Sequence, residues 1–152
     1  MVIPLLTQNK IYVHEEREIV ILGIGHDVLE IKRISEVLDR GLRTKFIRRI
    51  LTEQEYQLME HRGGRIAEFV AGRFAAKEAV VKALGCGIGM EVGFQDIEIL
   101  PDIKGKPEVT LSAEAWTRLR FPEGRNYKIH LTITHSRDLA SAFAVVEQHT
   151  LV

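Results

Sequence analysis

The chain has 152 residues, 45% apolar and 28% charged, with 21 basic side chains against 21 acidic ones. That balance excludes a disordered or low-complexity protein and lacks the general positive excess of nucleic-acid binders. No apolar run approaches the ~20 residues that span a bilayer; the N-terminal stretch is not expected to act as a signal peptide; and one cysteine, Cys86, precludes an internal disulfide and suits a reducing cytoplasm.

In chain order, residues 1–17 lack a clear period and read as an N-terminal extension, with one domain over 18–152. Glu18 to Gly25, EIVILGIG, is a short β-branched run expected to be a strand buried on both faces. Asp27 is placed to cap a helix whose apolar residues Leu29, Ile31, Ile34, Val37 and Leu38 recur at helical spacing, and Gly41 ends it. A short helix carries Phe46, Ile47 and Ile50, and Thr52 with Glu55 forms a capping box for another that runs to about His61. After Gly63-Gly64 comes the longest helical pattern, Arg65 to Leu84, closed by Gly85. FQDIEIL and PEVTL form a hairpin about Asp102 and Gly105, Ser112 caps a short helix through Leu119, and KIHLTITHS and LASAFAVVE are two further strands. The fold class is α+β, a single domain with an antiparallel sheet and one long helix.

Three features bear on chemistry. Along the long helix, Ala71, Ala75, Glu78 and Lys82 are spaced four, three and four apart and share a face. Small residues followed by a carboxylate and an amine leave room for close approach; equally, they describe a packing surface ending in a Glu-to-Lys surface pair. Asp27 alone reads as a helix cap, but beside Glu78 it makes two oxygen ligands. Magnesium commonly takes one or two protein carboxylates and fills its shell with water and substrate phosphate, so such a pair implies a phosphate-bearing substrate. Finally, Lys32 to Arg49 holds seven basic residues (Lys32, Arg33, Arg40, Arg43, Lys45, Arg48, Arg49) against Glu36 and Asp39. The window is net +5 within a neutral chain, the pattern of a protein built for an acidic partner or simply of a solvated face. Gly85, Gly87 and Gly89 lack the flanking strand and helix of a dinucleotide fingerprint.

GIGHDVLEIKRI and FVAGRFAAKEAVVKALGCGIG resemble the opening and central motifs of bacterial holo-acyl-carrier-protein synthases, of the 4'-phosphopantetheinyl transferase superfamily. ILTEQE, FQDIEI, GKPEV and ITHSRDLASAFAVVE resemble further stretches in the same order, covering Ile19 to Glu147, with departures at Arg40–Thr44 and a longer insert at Arg118–Tyr127. The resemblance implies transfer of the 4'-phosphopantetheine arm of coenzyme A to a serine of an acidic apo-acyl-carrier protein, as in fatty acid biosynthesis. It implies a cytoplasmic homotrimer with active sites between subunits. By the same resemblance Asp27 and Glu78 match the magnesium carboxylates and Lys82 the lysine near the reacting phosphate, while Arg73, Lys106 and His135 lie in stretches that line the coenzyme cleft. The basic window would then receive the carrier protein, and Glu78 is the preferred base. Two other readings stand beside this one: a non-catalytic module that binds an acidic protein or nucleic acid through residues 32–49, and a transferase that serves a polyketide or peptide-synthase carrier.

Overall fold

Strand β1 (Arg17–Glu30) pairs antiparallel with β5 (Leu139–Leu151), and β5 pairs antiparallel with β4 (Asn126–His135), giving the sheet order β1-β5-β4. The computed structural model describes residues 17–122 and 126–151; apart from Arg17, the expected extension lies outside the described residues. Alternation along β5 sets the two faces of this sheet. Ala140, Ala142, Ala144 and Val146 are buried against the long helix α4 (Ile66–Leu84), whereas Phe143 is exposed on the other face.

Gly23, Gly25 and Asp27 sit opposite Val146, Ala144 and Ala142, and so line the helix-facing side of β1. A Cβ on Gly23 would stand 2.1 Å from the Ala83 carbonyl oxygen, and one on Gly25 1.9 Å from that of Ala79. Any side chain there would push α4 away. The glycines therefore serve close packing of helix on strand rather than the tight turn that their spacing first suggests.

Two expectations about β1 need correction. The strand is not buried on both faces: Ile19, Ile21, Ile24 and Val28 are 56%, 63%, 62% and 49% exposed, because among the described residues α4 covers only the glycine side. Nor does Asp27 cap a helix. Pairing with β5 continues through Glu30 opposite Leu139, so α1 (Ile31–Val37) starts four residues later, with Glu30 at its N-cap. Tertiary pairing overrides the helical period that starts at Leu29, which pairs with Ala140.

The remaining helices wrap the first half of α4. After α1 a tight turn over Leu38–Leu42, with Gly41 at φ +76°, leads into α2 (Arg43–Ile50). The helix α3 (Glu53–Glu60) opens on the expected capping box: Thr52 Oγ1 accepts from the Glu55 backbone N–H, and Glu55 Oε2 accepts from that of Thr52. Ile34, Ile47, Ile50, Leu51, Met59 and Phe69 form the core of this layer.

Beyond α4 a 3-10 turn (Phe94–Asp96) precedes β2 (Ile97–Pro101), so the strand begins three residues later than its alternation implies. β2 pairs with β3 (Pro107–Leu111) as a separate two-stranded sheet; the antiparallel strands are thus divided between two sheets. The short helix α5 (Ala113–Leu119), capped by Ser112, comes next, and Ile97, Ile99, Leu111 and Ala115 join the second half of α4 in the main core.

One carboxylate ties these layers together. Glu55 is fully buried, and its Oε2 accepts from Lys77 Nζ at 2.6 Å while Oε1 accepts from the Ile99 backbone N–H at 3.0 Å. Lys77, equally buried, spends its other two protons on the carbonyls of Ile50 (2.7 Å) and Phe94 (2.9 Å). All three ammonium donors are satisfied, the condition under which a buried charge pair is tolerated.

The packing of α4 on β1 is testable. Gly25→Ala should lower unfolding free energy by at least about 2 kcal/mol in urea denaturation, since the methyl meets backbone. Gly87→Ala, with nothing within 4 Å, should stay within about 0.5 kcal/mol of the parent. Equal stability of the two variants would refute the close-approach argument.

Candidate active site

With no side chain at 23 or 25, α4 lies directly on β1, and Asp27 is the next residue along the same face. Its carboxylate therefore meets the end of the Ala71–Ala75–Glu78–Lys82 stripe. Ala71 and Ala75 are fully buried, Glu78 is half-buried and the Lys82 side chain is 48% exposed, so the stripe runs from the interior out to solvent. Lys82 does not pair with Glu78 as a surface Glu-to-Lys couple would. Its Nζ donates to Asp27 Oδ1 at 2.9 Å and to the His26 carbonyl oxygen at 3.0 Å.

Burial raises the Glu78 pKa, the negative charge of Asp27 raises it further, and Lys82 pulls it back in part. Asp27 is thus near enough to oppose the ionisation of Glu78, which is the electrostatic mark of a place that favours a cation. Among the described residues no group of three or more His, Cys, Asp or Glu converges as a metal cage. Two hard oxygen donors without soft ligands fit a magnesium-like ion that draws its other ligands from water and phosphate, and do not fit a structural zinc site. His26 takes no part through its side chain, whose Nε2 lies 2.9 Å from Ser141 Oγ and whose ring packs near Phe143 on the opposite sheet face.

A cleft of about 300 Å³ lies where the start of α4 meets the end of β4, lined by Arg62, Arg65, Glu68, Phe69, Arg73 and His135 among others. Arg73 is 8% exposed, with its guanidinium 4.6 Å above the Phe69 ring. Its Nε faces Glu55 Oε1 at 3.6 Å, too long for a hydrogen bond, and has no other partner among the described residues. Burial lowers its pKa to about 10, Glu55 opposes that fall and Arg62 adds to it. His135 lies 3.7 Å from Glu68 Oε2. Three arginines against one carboxylate, Glu68, leave this opening with an excess of positive charge.

Residues 23–144 match the family model described as the 4'-phosphopantetheinyl transferase superfamily. The chain belongs to this superfamily. It is 49% identical over 128 residues to a holo-[acyl-carrier-protein] synthase of Bacillus cereus, an alignment that spans 84% of this chain and 96% of the relative. Among solved structures it resembles the Bacillus anthracis holo-(acyl-carrier-protein) synthase in complex with CoA (3',5'-ADP), at 45% identity and a TM-score of 0.70, with 84% of this chain and 96% of that one covered. The Helicobacter pylori synthase in complex with coenzyme A aligns at 35% identity and a TM-score of 0.69 over 81% of this chain and 98% of that one.

Within this superfamily member, Asp27, Glu78 and Lys82 are brought together, and so are Arg73 and His135. Lys106 is not. It lines a different cavity, of about 350 Å³, between β3 and β4 with Trp116, Tyr127 and His130. Arg62 and Arg65 were missed by sequence reasoning; their one signal is the basic pair that brackets Gly63-Gly64 ahead of the helix, and both glycines have positive φ.

All seven residues of the basic window are exposed, on α1, the turn after it and α2. Arg33 and Arg40 flank a groove of about 330 Å³ lined by Leu29, Ile34, Phe46 and Phe74. Leu29 lies two residues beyond Asp27 on β1 and Phe74 precedes Glu78 by one turn of α4, so the groove adjoins the carboxylates. Arg48 is committed internally, paired with Glu53 and set 3.7 Å over the Tyr56 ring; Lys32 lies 3.9 Å from Glu36.

The raised pKa of Glu78 has a defined sign in stability. A carboxyl that titrates higher in the folded than in the unfolded chain favours folding most below its unfolded pKa of about 4.3, and that contribution is lost as pH rises through the folded value. In chelator at pH 7, Glu78→Gln should therefore be more stable to urea than the parent, with the advantage fading towards pH 4. An equal or lower stability at pH 7 would contradict the assigned environment.

Proposed function

We infer that the chain transfers the 4'-phosphopantetheine arm of coenzyme A to a serine hydroxyl of an apo-acyl-carrier protein, releasing adenosine 3',5'-bisphosphate. The observation that carries this reading is the convergence of Asp27, Glu78 and Lys82 at the end of the glycine-lined contact between β1 and α4, in a chain 49% identical to a curated synthase. Asp27 and Glu78 would hold magnesium. When bound, that ion supplies positive charge to the pyrophosphate, offsetting the charge that develops on the leaving oxygen.

The protein's own groups account for the rest. Glu78, beside the site of the reacting phosphate, is placed to accept the serine proton, directly or through a water. The serine oxygen forms its bond to the phosphorus that bears the pantetheine arm, and the bond from that phosphorus to the bridging oxygen breaks. Lys82, one turn beyond Glu78, stabilises the same phosphate once free to reach it. Arg73, with Arg62 and Arg65, offers fixed positive charge to the other phosphates of the coenzyme, and His135 offers a ring nitrogen at the same opening.

The carrier protein docks, on this reading, on α1 and α2. An acidic partner matches Lys32, Arg33, Arg40, Arg43, Lys45 and Arg49, and the groove between Arg33 and Arg40 leads its serine towards the carboxylates. A homotrimer is part of the proposal. Its support is the outer sheet face, where Ile19, Ile21, Ile24, Val28 and Phe143 are exposed large apolar side chains of the kind that mark an interface, with His26, Ser141 and Glu147 among them. Such an assembly would let Lys106 serve the cleft of a neighbouring copy. A reducing cytoplasm completes the reading, in keeping with the single Cys86.

Incubation of the protein with apo-carrier, coenzyme A and magnesium should yield a phosphopantetheine adduct by mass spectrometry. Asp27→Ala and Glu78→Ala should each lower the rate by about 100-fold or more, the scale of losing one electrostatic or proton-transfer element. Full activity in both variants would overturn the role given to the two carboxylates, whereas carrier binding that needs neither magnesium nor coenzyme A and yields no adduct would favour the non-catalytic module instead. Light scattering should return three copies for the parent and a smaller species for Ile24→Asp; a monomeric parent would remove the trimer.

A further inference from the structure

The amine that is to meet the substrate phosphate is, in this structure, spent elsewhere. Lys82 Nζ bonds to Asp27 Oδ1 and to the carbonyl of His26, a backbone group that cannot turn away. Two of its three donors are thus held by β1, and Glu78 is close enough to feel its charge. The ammonium sits against Asp27 and near enough to Glu78 to offset part of the negative charge there.

We propose that Lys82 is the resident cation of the metal-free site, and that a divalent ion on Asp27 and Glu78 displaces its amine from Asp27 and releases it towards the phosphate-binding side. This rests on the magnesium reading of the two carboxylates. Three observations carry it. The contact with Asp27 is direct, at 2.9 Å, so amine and metal compete for one carboxylate. A single and a double positive charge on that carboxylate repel each other strongly at such range. The Lys82 side chain is about half exposed, at 48%, on a flexible stem, so it can leave without moving α4, whereas Asp27, at 17%, is fixed on a strand paired through Glu30.

The consequence is an order of events. Without the metal, Asp27 is neutralised and the lysine is withheld from phosphate; with it, the same residue becomes available as a phosphate ligand. Metal binding thus converts an internal counter-ion into part of the substrate site, and no backbone change is needed.

Crystals of the full chain grown in chelator and in Mn2+, both without coenzyme A, test this, because Mn2+ is located by its anomalous signal. In chelator, Lys82 Nζ should lie within hydrogen-bond distance of Asp27 Oδ1. With Mn2+ on Asp27 and Glu78, Nζ should have moved beyond that distance. Mn2+ on both carboxylates with the Lys82–Asp27 contact intact would overturn the proposal and leave the magnesium reading standing. Absence of Mn2+ from the pair would remove that reading, and the proposal with it. As a second measurement, titration of Mn2+ followed by electron paramagnetic resonance should show Lys82→Met binding the ion about threefold or more tightly than the parent, the scale of losing an exposed ion pair as competitor. Unchanged or weaker affinity in Lys82→Met would also count against displacement.

Discussion

Everything that gives this chain a reactive centre depends on one close approach, the backbone of α4 lying against the glycines of β1. Gly23 and Gly25 stand opposite the carbonyls of Ala83 and Ala79 with no space for a methyl group. This brings helix and strand together near the middle of the molecule and determines which side chains emerge at the margin of the contact. On the strand, the next residue on the shared face is Asp27; on the helix, the residues at that margin are Glu78 and Lys82. A carboxylate, a second carboxylate and an amine from segments some fifty residues apart are thus presented together by two rigid elements rather than by loops.

A second constraint operates on the other side of α4. Lys77 and Glu55 bury a charge pair, and each of the three N–H donors of the ammonium finds a partner in a different segment: the end of α2, the start of α3 and the turn before β2. The pair adds geometric specificity more than net stability, since an apolar pair of equal volume could fill the space. What it specifies is useful. The helices that carry the basic window are pinned to the same α4 that carries Glu78, and Arg73, one turn before Lys77, is held within reach of the same carboxylate.

The readability of the sequence tracks the range of the interactions involved. Thr52 with Glu55, Ser112 and Gly85 were legible because a cap is made within a few residues. The start of α1 was not: a local helical pattern from Leu29 competes with sheet pairing that only β5, over a hundred residues away, can supply. Lys77 looks in sequence like any lysine of a charged helix, and its burial depends on carbonyls from other segments. The Asp27–Glu78 pair was readable only through the resemblance of its two motifs, and the exchange of partners by Lys82, from Glu78 to Asp27, was not readable at all. The Arg62–Arg65 edge of the arginine-lined cleft escaped because that cleft exists only once the end of β4 meets the start of α4.

The contact between Lys82 and the carbonyl of His26 has a further meaning for how this chain can vary. The acceptor belongs to the main chain, which every amino acid provides alike, while the imidazole of the same residue points through the sheet to Ser141 and Phe143. Position 26 thus offers the reactive side a service that no substitution compatible with the strand would withdraw. Its side chain is left to answer only to whatever lies against the outer face, so two surfaces with different demands meet at one residue without constraining each other.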